Sequence, residues 1–207
     1  MMQAFVTQIY QSKLMEKTAA QIKLLDSLLE DVENLLASDE IGYDWSKKNY
    51  VAGYTSYGSV DKLHLVFPAF KTLEKALDKH IKNYIKDLDF AITSDDVYLS
   101  HCWANVMPQE AQHTAHIHPL SVISGTLYLQ LPKGSSAIKF EDPRLGLFMN
   151  APVVKTKAQT KNKRFLDVLP DVGDVILFES WLRHEVPRNR SKDPRISISF
   201  NYGWKKA

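Results

Sequence analysis

Short β-forming runs separated by turn residues fill the second half of the chain. This pattern limits the possible folds more than any other feature of the sequence. The runs are rich in Val, Ile, Leu, Tyr and Phe, and the breaks between them include PKGSS, EDPR, PDVGD and PRNRSKDPR. Many short strands at such spacing predict a β-sandwich or a β-barrel. The predicted strands cover residues 97–107, 121–131, 137–143, 174–179 and 195–204.

The first half of the chain predicts helices. Apolar residues recur at spacings of three and four within residues 11–38, which is the pattern of an amphipathic helix. A second helix is predicted from Pro68 to Leu88, where the proline suits the first turn. Residues 40–60 are rich in Gly, Tyr and Ser and predict no regular element. The expected core-facing stripes are Ile22, Leu25, Leu29, Val32 and Leu36, and then Phe70, Leu73, Leu77, Ile81, Tyr84 and Leu88.

Length and patterning indicate one domain. The chain has 207 residues, enough for a sizeable core, and no flexible linker interrupts it. We therefore predict a single domain over residues 1–207, in which a helical part (1–95) packs on a β-rich part (96–207). The predicted fold class is mainly β with N-terminal helices, that is, α+β.

Charge and cysteine content narrow the functional classes. The net charge of +2 does not support nucleic-acid binding. The single cysteine, Cys102, excludes an intramolecular disulfide and a Cys-rich zinc site, and it fits a cytoplasmic protein. No window approaches the ~20 apolar residues of a membrane span, so we expect no membrane contact.

Histidines cluster at the start of the β-rich part, where three of the seven fall within HTAHIH. Residues i and i+2 of a strand share a face, so His116 and His118 can converge on one ion, whereas His113 would point to the other face. His184, after the apolar run DVILF, is the best third ligand. Neutral imidazoles suit Fe, Zn, Cu and Ni, and three protein ligands leave open positions for catalysis. The alternative is a set of surface or hydrogen-bonding histidines.

The last predicted strand carries an independent polar face. Arg195 and Ser197 share that face, and arginine grips carboxylates with two parallel hydrogen bonds. If the face points into a barrel, it forms an anion-binding wall. If it points outward, it is an ordinary solvated strand face.

Together these residues resemble the Fe(II)- and 2-oxoglutarate-dependent oxygenases, whose fold is a double-stranded β-helix, a jelly-roll or cupin-like barrel. Their signature is HxD or HxE, a distal His, and an Arg or Lys about ten residues beyond it. Here Arg195 follows His184 by eleven residues. The chain is more similar still to a small uncharacterised group of these oxygenases, with motifs matched in order along nearly the whole chain. The motifs are Trp103–Val106 (WxNV), His116–Pro119 (HxHP), Ser124–Tyr128 (SGxxY), Phe140–Arg144 (FxDPR), Gly173–His184 (ending in SWLxH) and Arg195–Asn201 (RxSxSFN).

The resemblance implies an oxidoreductase, a dioxygenase that uses Fe(II), 2-oxoglutarate and O2. It would hydroxylate a substrate while 2-oxoglutarate is decarboxylated to succinate. No catalytic side chain beyond the metal ligands is implied. The implied metal ligands are His116, His118 and His184, and the implied co-substrate residues are Arg195, Ser197, Tyr128 and Asn105.

One departure leaves alternatives open, because His118 stands where the wider superfamily has a carboxylate. Three-histidine cupins such as cysteine dioxygenase need no 2-oxoglutarate, so the chain could be an oxygenase of that type. A carboxylate such as Asp142 or Glu110 could instead complete the site, with one histidine only lining it. A jelly-roll binding module without chemistry is the third alternative.

The sequence does not identify the substrate or the assembly. The expected partner is a small-molecule or side-chain substrate, and a homodimer is compatible with the sequence. The basic stretch 150–166 suits the rim of a barrel that receives an anionic substrate, although such charge runs are more often solvated loops.

Overall fold

Two antiparallel β-sheets and four helices make up the fold, in a computed structural model that describes residues 2, 4–144 and 149–205. The strands are β1 (Ile9–Lys13), β2 (Tyr54–Thr55), β3 (Val97–Met107), β4 (His113–His116), β5 (Ile123–Gln130), β6 (Ile138–Glu141), β7 (Phe165–Val168), β8 (Asp174–Glu179), β9 (His184–Val186) and β10 (Arg195–Trp204). The helices are α1 (Ala19–Leu36), α2 (Glu40–Asn49), α3 (Leu63–Val66) and α4 (Pro68–Asp87).

The two sheets enclose an apolar layer. The larger sheet has the strand order β1-β8-β5-β10-β3-β2, and the smaller has the order β4-β9-β6-β7. Phe140 on β6 packs against Phe178 on β8, with ring centroids 5.1 Å apart, so side chains from both sheets meet inside. This combination of helices with facing antiparallel sheets confirms the predicted fold class.

Helices α1 and α4 cover the outer face of the larger sheet. Leu28 of α1 and Leu77 of α4 join one core cluster with Leu127 of β5 and Leu177 of β8, and all four side chains are fully buried. The neighbouring residues on β5 and β8 point to the inner layer instead, as strand alternation requires. The helix layer therefore fixes which strand residues face the interior of the barrel.

The predicted start of the first helix is wrong. Residues 9–13 form β1, which pairs with β8, and α1 begins only at Ala19. The Thr18 side chain caps α1 by accepting a hydrogen bond from the Gln21 N–H at 3.3 Å. The N-terminal part of the chain thus adds strands as well as helices to the fold.

The predicted buried face of α1 is also wrong by about one residue. Ile22, expected in the core, is 51% exposed. The sequence contains the doublets Leu24-Leu25, Leu28-Leu29 and Leu35-Leu36, so two adjacent stripes satisfy the helical period. Packing against the sheet selects the first member of each doublet. The buried apolar residues of α1 are Leu24, Leu28, Val32 and Leu35.

The irregular structure predicted for residues 40–60 is also wrong, because α2 occupies Glu40–Asn49. The Asp39 carboxylate caps this helix by accepting a hydrogen bond from the Gly42 N–H at 2.9 Å. A Cβ on Gly42 would lie 2.0 Å from the same carboxylate, so glycine is needed there despite its low helix propensity.

Three strands of the larger sheet were predicted well. The bounds of β3, β8 and β10 agree with the predicted 97–107, 174–179 and 195–204. The short strands β4 and β9 were not predicted, because runs of three or four residues show no periodicity. Among the described residues, no helix is both long and apolar enough to cross a membrane.

Candidate metal centre

Three histidine side chains converge between the two sheets. His116 ends β4 and pairs with His184, the first residue of β9. His118 lies two residues beyond β4, and its backbone N–H is held by the Ser180 carbonyl at 2.9 Å. The potential ligand atoms of the three imidazoles all lie within 4.8 Å of one another. The sequence-predicted grouping of His116, His118 and His184 is therefore present in the structure.

Hydrogen bonds orient two of these rings. Nδ1 of His116 donates to the Thr114 carbonyl at 2.7 Å, and Nδ1 of His184 donates to the Leu182 carbonyl at 2.9 Å. A carbonyl only accepts, so each ring must carry its proton on Nδ1, which leaves the Nε2 lone pair available as a metal ligand.

The spacing of the ring nitrogens suits a shared ion. Nε2 of His118 lies 3.3 Å from Nε2 of His184. Two nitrogens each about 2.1 Å from one metal ion would be about 3.0 Å apart at a right angle. The observed separation is thus close to that of two ligands on adjacent positions of one ion.

Burial keeps these imidazoles neutral. It lowers the pKa of His118 to about 3, with the nearby His116 adding to the effect. Burial also lowers the pKa of His116, and the charge of Arg183 lowers it further. Burial likewise holds the pKa of His184 well below its usual range. Neutral imidazole is the form that binds transition metals, so the cluster is ready for a metal at neutral pH.

A fourth imidazole, His113, lies in the same cavity, against the prediction that it would point to the other face. Its ring stacks on His116 with centroids 4.1 Å apart. The pairing of β4 with β9 shifts register between His113 and His116, and this irregularity breaks the strict alternation of a strand. Such a shift in strand register cannot be predicted from the local sequence.

Neither carboxylate proposed as an alternative ligand belongs to the cluster. Asp142 is held by Arg144 through bonds of 2.9 and 2.6 Å. Glu110 forms ion pairs with Arg188 and Arg190 at 3.2 and 3.1 Å. Within the described part of the chain, the group of side chains that could hold a metal ion consists of histidines alone.

Arg195 is buried in the wall of this cavity, so the polar face of β10 points inward at this end. The residue is only 2% exposed, and no carboxylate of the described residues pairs with it. Its Nη1 donates to the Ser197 hydroxyl at 3.2 Å and to the Met107 sulfur at 3.5 Å, while Nε has no partner. A buried arginine without a counterion is costly unless a ligand supplies one.

Two further predicted residues lie nearby with unsatisfied atoms. The guanidinium of Arg195 sits 4.9 Å from the ring centroid of Tyr128, whose hydroxyl has no hydrogen-bond partner. Asn105 lines the cavity and donates to the Ser199 hydroxyl at 3.0 Å, but its carbonyl oxygen is unpaired. Buried polar atoms are rarely left unsatisfied, so this end of the cavity is built for a polar ligand.

The two ends of the cavity complement a metal chelate with an anionic tail. Three neutral imidazoles fit a divalent transition metal, and the unpaired guanidinium fits a carboxylate. The lining contains no acidic side chain that would repel such a ligand. The residues present therefore fit both Fe(II) and 2-oxoglutarate.

The remaining lining comes from residues that sequence reasoning missed. Strand pairing explains their position, because β3 and β5 flank β10, and alternate residues of all three face inward. A strand pattern identifies two faces but not which of them is internal. The missed lining residues on these strands include Trp103, Met107 and Thr126, and one more, Tyr50, follows α2.

Two surface features lie near the site, namely the Trp181 side chain and the FEDPR stretch with the basic segment that follows it. Trp181 is 47% exposed, and its indole N–H donates to the Glu179 carboxylate at 3.0 Å. In the FEDPR stretch, the Asp142 carboxylate accepts hydrogen bonds from the backbone N–H and the guanidinium of Arg144. The basic segment that follows links β6 to β7, and Arg164 closes it by donating to the Ala151 carbonyl at 2.7 Å.

The sequence of this β-rich region matches a known protein family. Residues 101–201, which hold all the site residues named above except Tyr50, match the family described as "Putative 2OG-Fe(II) oxygenase". The match covers 101 of the 207 residues and identifies this β-rich region as that of a 2OG-Fe(II) oxygenase. The chain is accordingly an oxidoreductase, and Fe(II), 2-oxoglutarate and O2 are the metal and co-substrates of the family. No curated protein matches the chain in sequence.

Solved structures show the same fold. A Pseudomonas putida prolyl-4-hydroxylase aligns with a TM-score of 0.64 and 16% identity, covering 97% of this chain and 94% of that one. HygX of Streptomyces hygroscopicus, with nickel, 2-oxoglutarate and hygromycin B bound, gives 0.62 and 13%, with 96% and 84% covered. The epimerase SnoN from nogalamycin biosynthesis gives 0.64 and 12%, with 95% and 76% covered. The fold is thus the double-stranded β-helix of these oxygenases.

Proposed function

We propose that this oxygenase hydroxylates a small-molecule or side-chain substrate while converting 2-oxoglutarate to succinate and CO2. The observation that carries the proposal is the buried, unpaired Arg195 at one end of a cavity whose other end holds three neutral imidazoles. A metal site alone would not need that arginine. An anion site alone would not need the histidines.

In this proposal, His116, His118 and His184 hold Fe(II). Their proton-bearing Nδ1 atoms, where bonded to backbone carbonyls, keep the Nε2 atoms turned toward the ion. With only three protein ligands, a bound ion would keep open positions for the co-substrate and O2. The bound metal would supply the oxidising chemistry, and the protein would supply position and a dry environment.

Arg195 would pair with the far carboxylate of 2-oxoglutarate. Ser197 holds the guanidinium in place through its hydroxyl, and Tyr128 supports it from the ring face. The unpaired Tyr128 hydroxyl and Asn105 carbonyl oxygen would gain partners from the ligand or from water that accompanies it. These contacts fix the co-substrate before a substrate arrives, which reduces the entropy lost on reaching the reactive geometry.

Hydroxylation is one outcome among those seen with this fold. The relatives named above include a prolyl-4-hydroxylase and an epimerase. HygX binds hygromycin B, and SnoN binds a nogalamycin derivative, so small molecules are the substrate class that these relatives favour. The three-histidine cupin type remains the second candidate, and the three-histidine ligand set is the observation that favours it.

Oxygen-18 labelling tests the proposal. The Fe(II)-loaded protein would be incubated with 2-oxoglutarate, ascorbate and a small-molecule cell extract under 18O2. We expect succinate to form faster with extract than without, and one extract component to gain a single 18O atom. The matched control is His184→Ala, which removes a metal ligand from the start of β9.

The outcomes separate the candidates. Extract-dependent succinate without an oxygenated product would indicate epimerisation or another oxidation and would refute hydroxylation. An oxygenated product formed without consumption of 2-oxoglutarate would establish the three-histidine cupin type.

A further inference from the structure

His113 lies in the cavity, but the roles proposed for the three metal ligands and for Arg195 do not explain its position. Its ring stacks on His116 at 4.1 Å and packs edge-on against Tyr50 at 4.8 Å. Tyr50 in turn packs in one cluster with Met107, whose sulfur accepts a hydrogen bond from Arg195. His113 therefore bridges the metal-binding end and the arginine end of the cavity.

The nitrogens of His113 are available to a ligand. His116 and His184 each use Nδ1 on a backbone carbonyl, but in the described part of the chain neither ring nitrogen of His113 has a hydrogen-bond partner. The residue lines the same cavity as Arg195. An imidazole offers at least one N–H donor in either charge state, so a group in the cavity can be bound without any change of protonation.

The shape of 2-oxoglutarate indicates which group would accept a hydrogen bond from His113. His113 lines the same cavity as the three candidate metal ligands and Arg195, so 2-oxoglutarate held at both ends would lie beside it. Its carboxylate oxygens offer more acceptor positions than one arginine can satisfy. We propose that His113 donates a hydrogen bond to a carboxylate oxygen of 2-oxoglutarate and is thus a further co-substrate-binding residue. This inference rests on the proposed function.

Matched variants separate the hydrogen bond from the ring packing. His113→Phe keeps an aromatic ring between His116 and Tyr50 but has no donor, whereas His113→Gln keeps a donor and loses the ring. His113→Leu is a second donor-free variant in case the larger Phe side chain is not accommodated. His101→Phe is the control, because His101 lies outside the cavity and is about one-third exposed.

Anaerobic titration of 2-oxoglutarate into the Fe(II)-loaded proteins gives the affinity of each. We expect the dissociation constant to rise about tenfold or more for His113→Phe and His113→Leu, as for loss of a hydrogen bond to a charged group. We expect His113→Gln and His101→Phe to stay within about threefold of wild type. Fe(II) affinity, measured without co-substrate, should change by less than about threefold in all four.

Two results would overturn the inference. Wild-type affinity for 2-oxoglutarate in both donor-free variants would show that His113 does not bind it. Loss of affinity in His113→Gln equal to that in His113→Phe would assign the effect to the ring rather than the donor. If the wild type bound Fe(II) but no 2-oxoglutarate, the proposed function itself would fail, and this inference with it.

Discussion

Replacing Arg195 by Met should have opposite effects on stability and on co-substrate binding. In the protein without ligands, the guanidinium is 2% exposed, has no carboxylate partner and leaves Nε unsatisfied. Its compensation is a hydrogen bond to the Ser197 hydroxyl, a weaker one to the Met107 sulfur and one contact with the Tyr128 ring. Methionine has a similar reach, no charge and a flexible apolar side chain that fills irregular space.

The stability change follows from these contacts. The lost hydrogen bonds and cation–π contact contribute about 2–5 kcal/mol together. Desolvating a buried, uncompensated charge costs several kcal/mol. We therefore expect the unfolding free energy of the ligand-free variant to stay unchanged or to rise by up to about 2 kcal/mol.

The binding change has the other sign. Removing one partner of a buried charge pair costs about 2–5 kcal/mol, which weakens 2-oxoglutarate binding roughly 30- to 4,000-fold. At a concentration of 100 times the wild-type dissociation constant, 2-oxoglutarate stabilises the wild type by about 2.7 kcal/mol. A variant with a constant about 100-fold higher gains only about 0.4 kcal/mol at that concentration.

Anaerobic thermal unfolding of the Fe(II)-loaded proteins, with and without 2-oxoglutarate, measures both effects. For a domain of this size we expect the melting temperature to rise by about 5–11 °C in the wild type and by less than about 2 °C in the variant. Arg190→Met is the control, because Arg190 is exposed and pairs with Glu110 outside the cavity. A variant that is less stable by more than about 2 kcal/mol without ligand, yet still responds to 2-oxoglutarate, would refute the reasoning.

Other predictions concern the ligand set, the packing of α1 and pH. His184→Ala should lose Fe(II) on dialysis, whereas His118→Asp should retain it, because a carboxylate is an alternative ligand at that position. Metal analysis after dialysis measures the Fe(II) that each variant retains. Loss of Fe(II) from His118→Asp but not from His184→Ala would contradict the proposed ligand set. Leu28→Ala should lower the unfolding free energy by about 2–5 kcal/mol and Ile22→Ala by less than about 0.5 kcal/mol in urea titrations, because only Leu28 is buried. Equal losses would place the core on the wrong face of α1. Burial lowers the pKa of His64 below its usual 6.5. The unfolded state therefore binds more protons, and stability should fall as pH decreases below about 6.5. His64→Phe should reduce this decline in urea titrations at several pH values, and an unchanged pH slope would remove His64 as a source.

The sequence predicted the histidine cluster because two of its three members are close together along the chain. His116 and His118 are two residues apart, and His184 follows an apolar run that was predicted as a strand and forms β8. Convergence then needed only that the two segments lie side by side, as β4 and β9 do. His113 could not be assigned in this way, because its direction depends on a register shift between strands.

The end of the cavity that holds Arg195 and Ser197 was predictable only in part. Alternation along β10 placed Arg195 and Ser197 on one face, but whether that face was internal depended on the second sheet. The face of α1 was ambiguous for the same reason, since leucine doublets allow two stripes and only tertiary packing chooses between them. The carboxylates Asp142 and Glu110 were plausible ligands until their arginine partners were known. In each of these cases, contacts made in the folded structure determined the outcome.

The central claim is that one cavity holds Fe(II) and 2-oxoglutarate together. The most direct measurement is an anaerobic titration of metal-free protein with Fe(II) and then 2-oxoglutarate, followed by visible absorption. The account predicts a metal-to-ligand charge-transfer band that saturates at one equivalent of each, weakens in Arg195→Met and is absent in His184→Ala. Stoichiometric binding of Fe(II) with no band at any concentration of 2-oxoglutarate would contradict it.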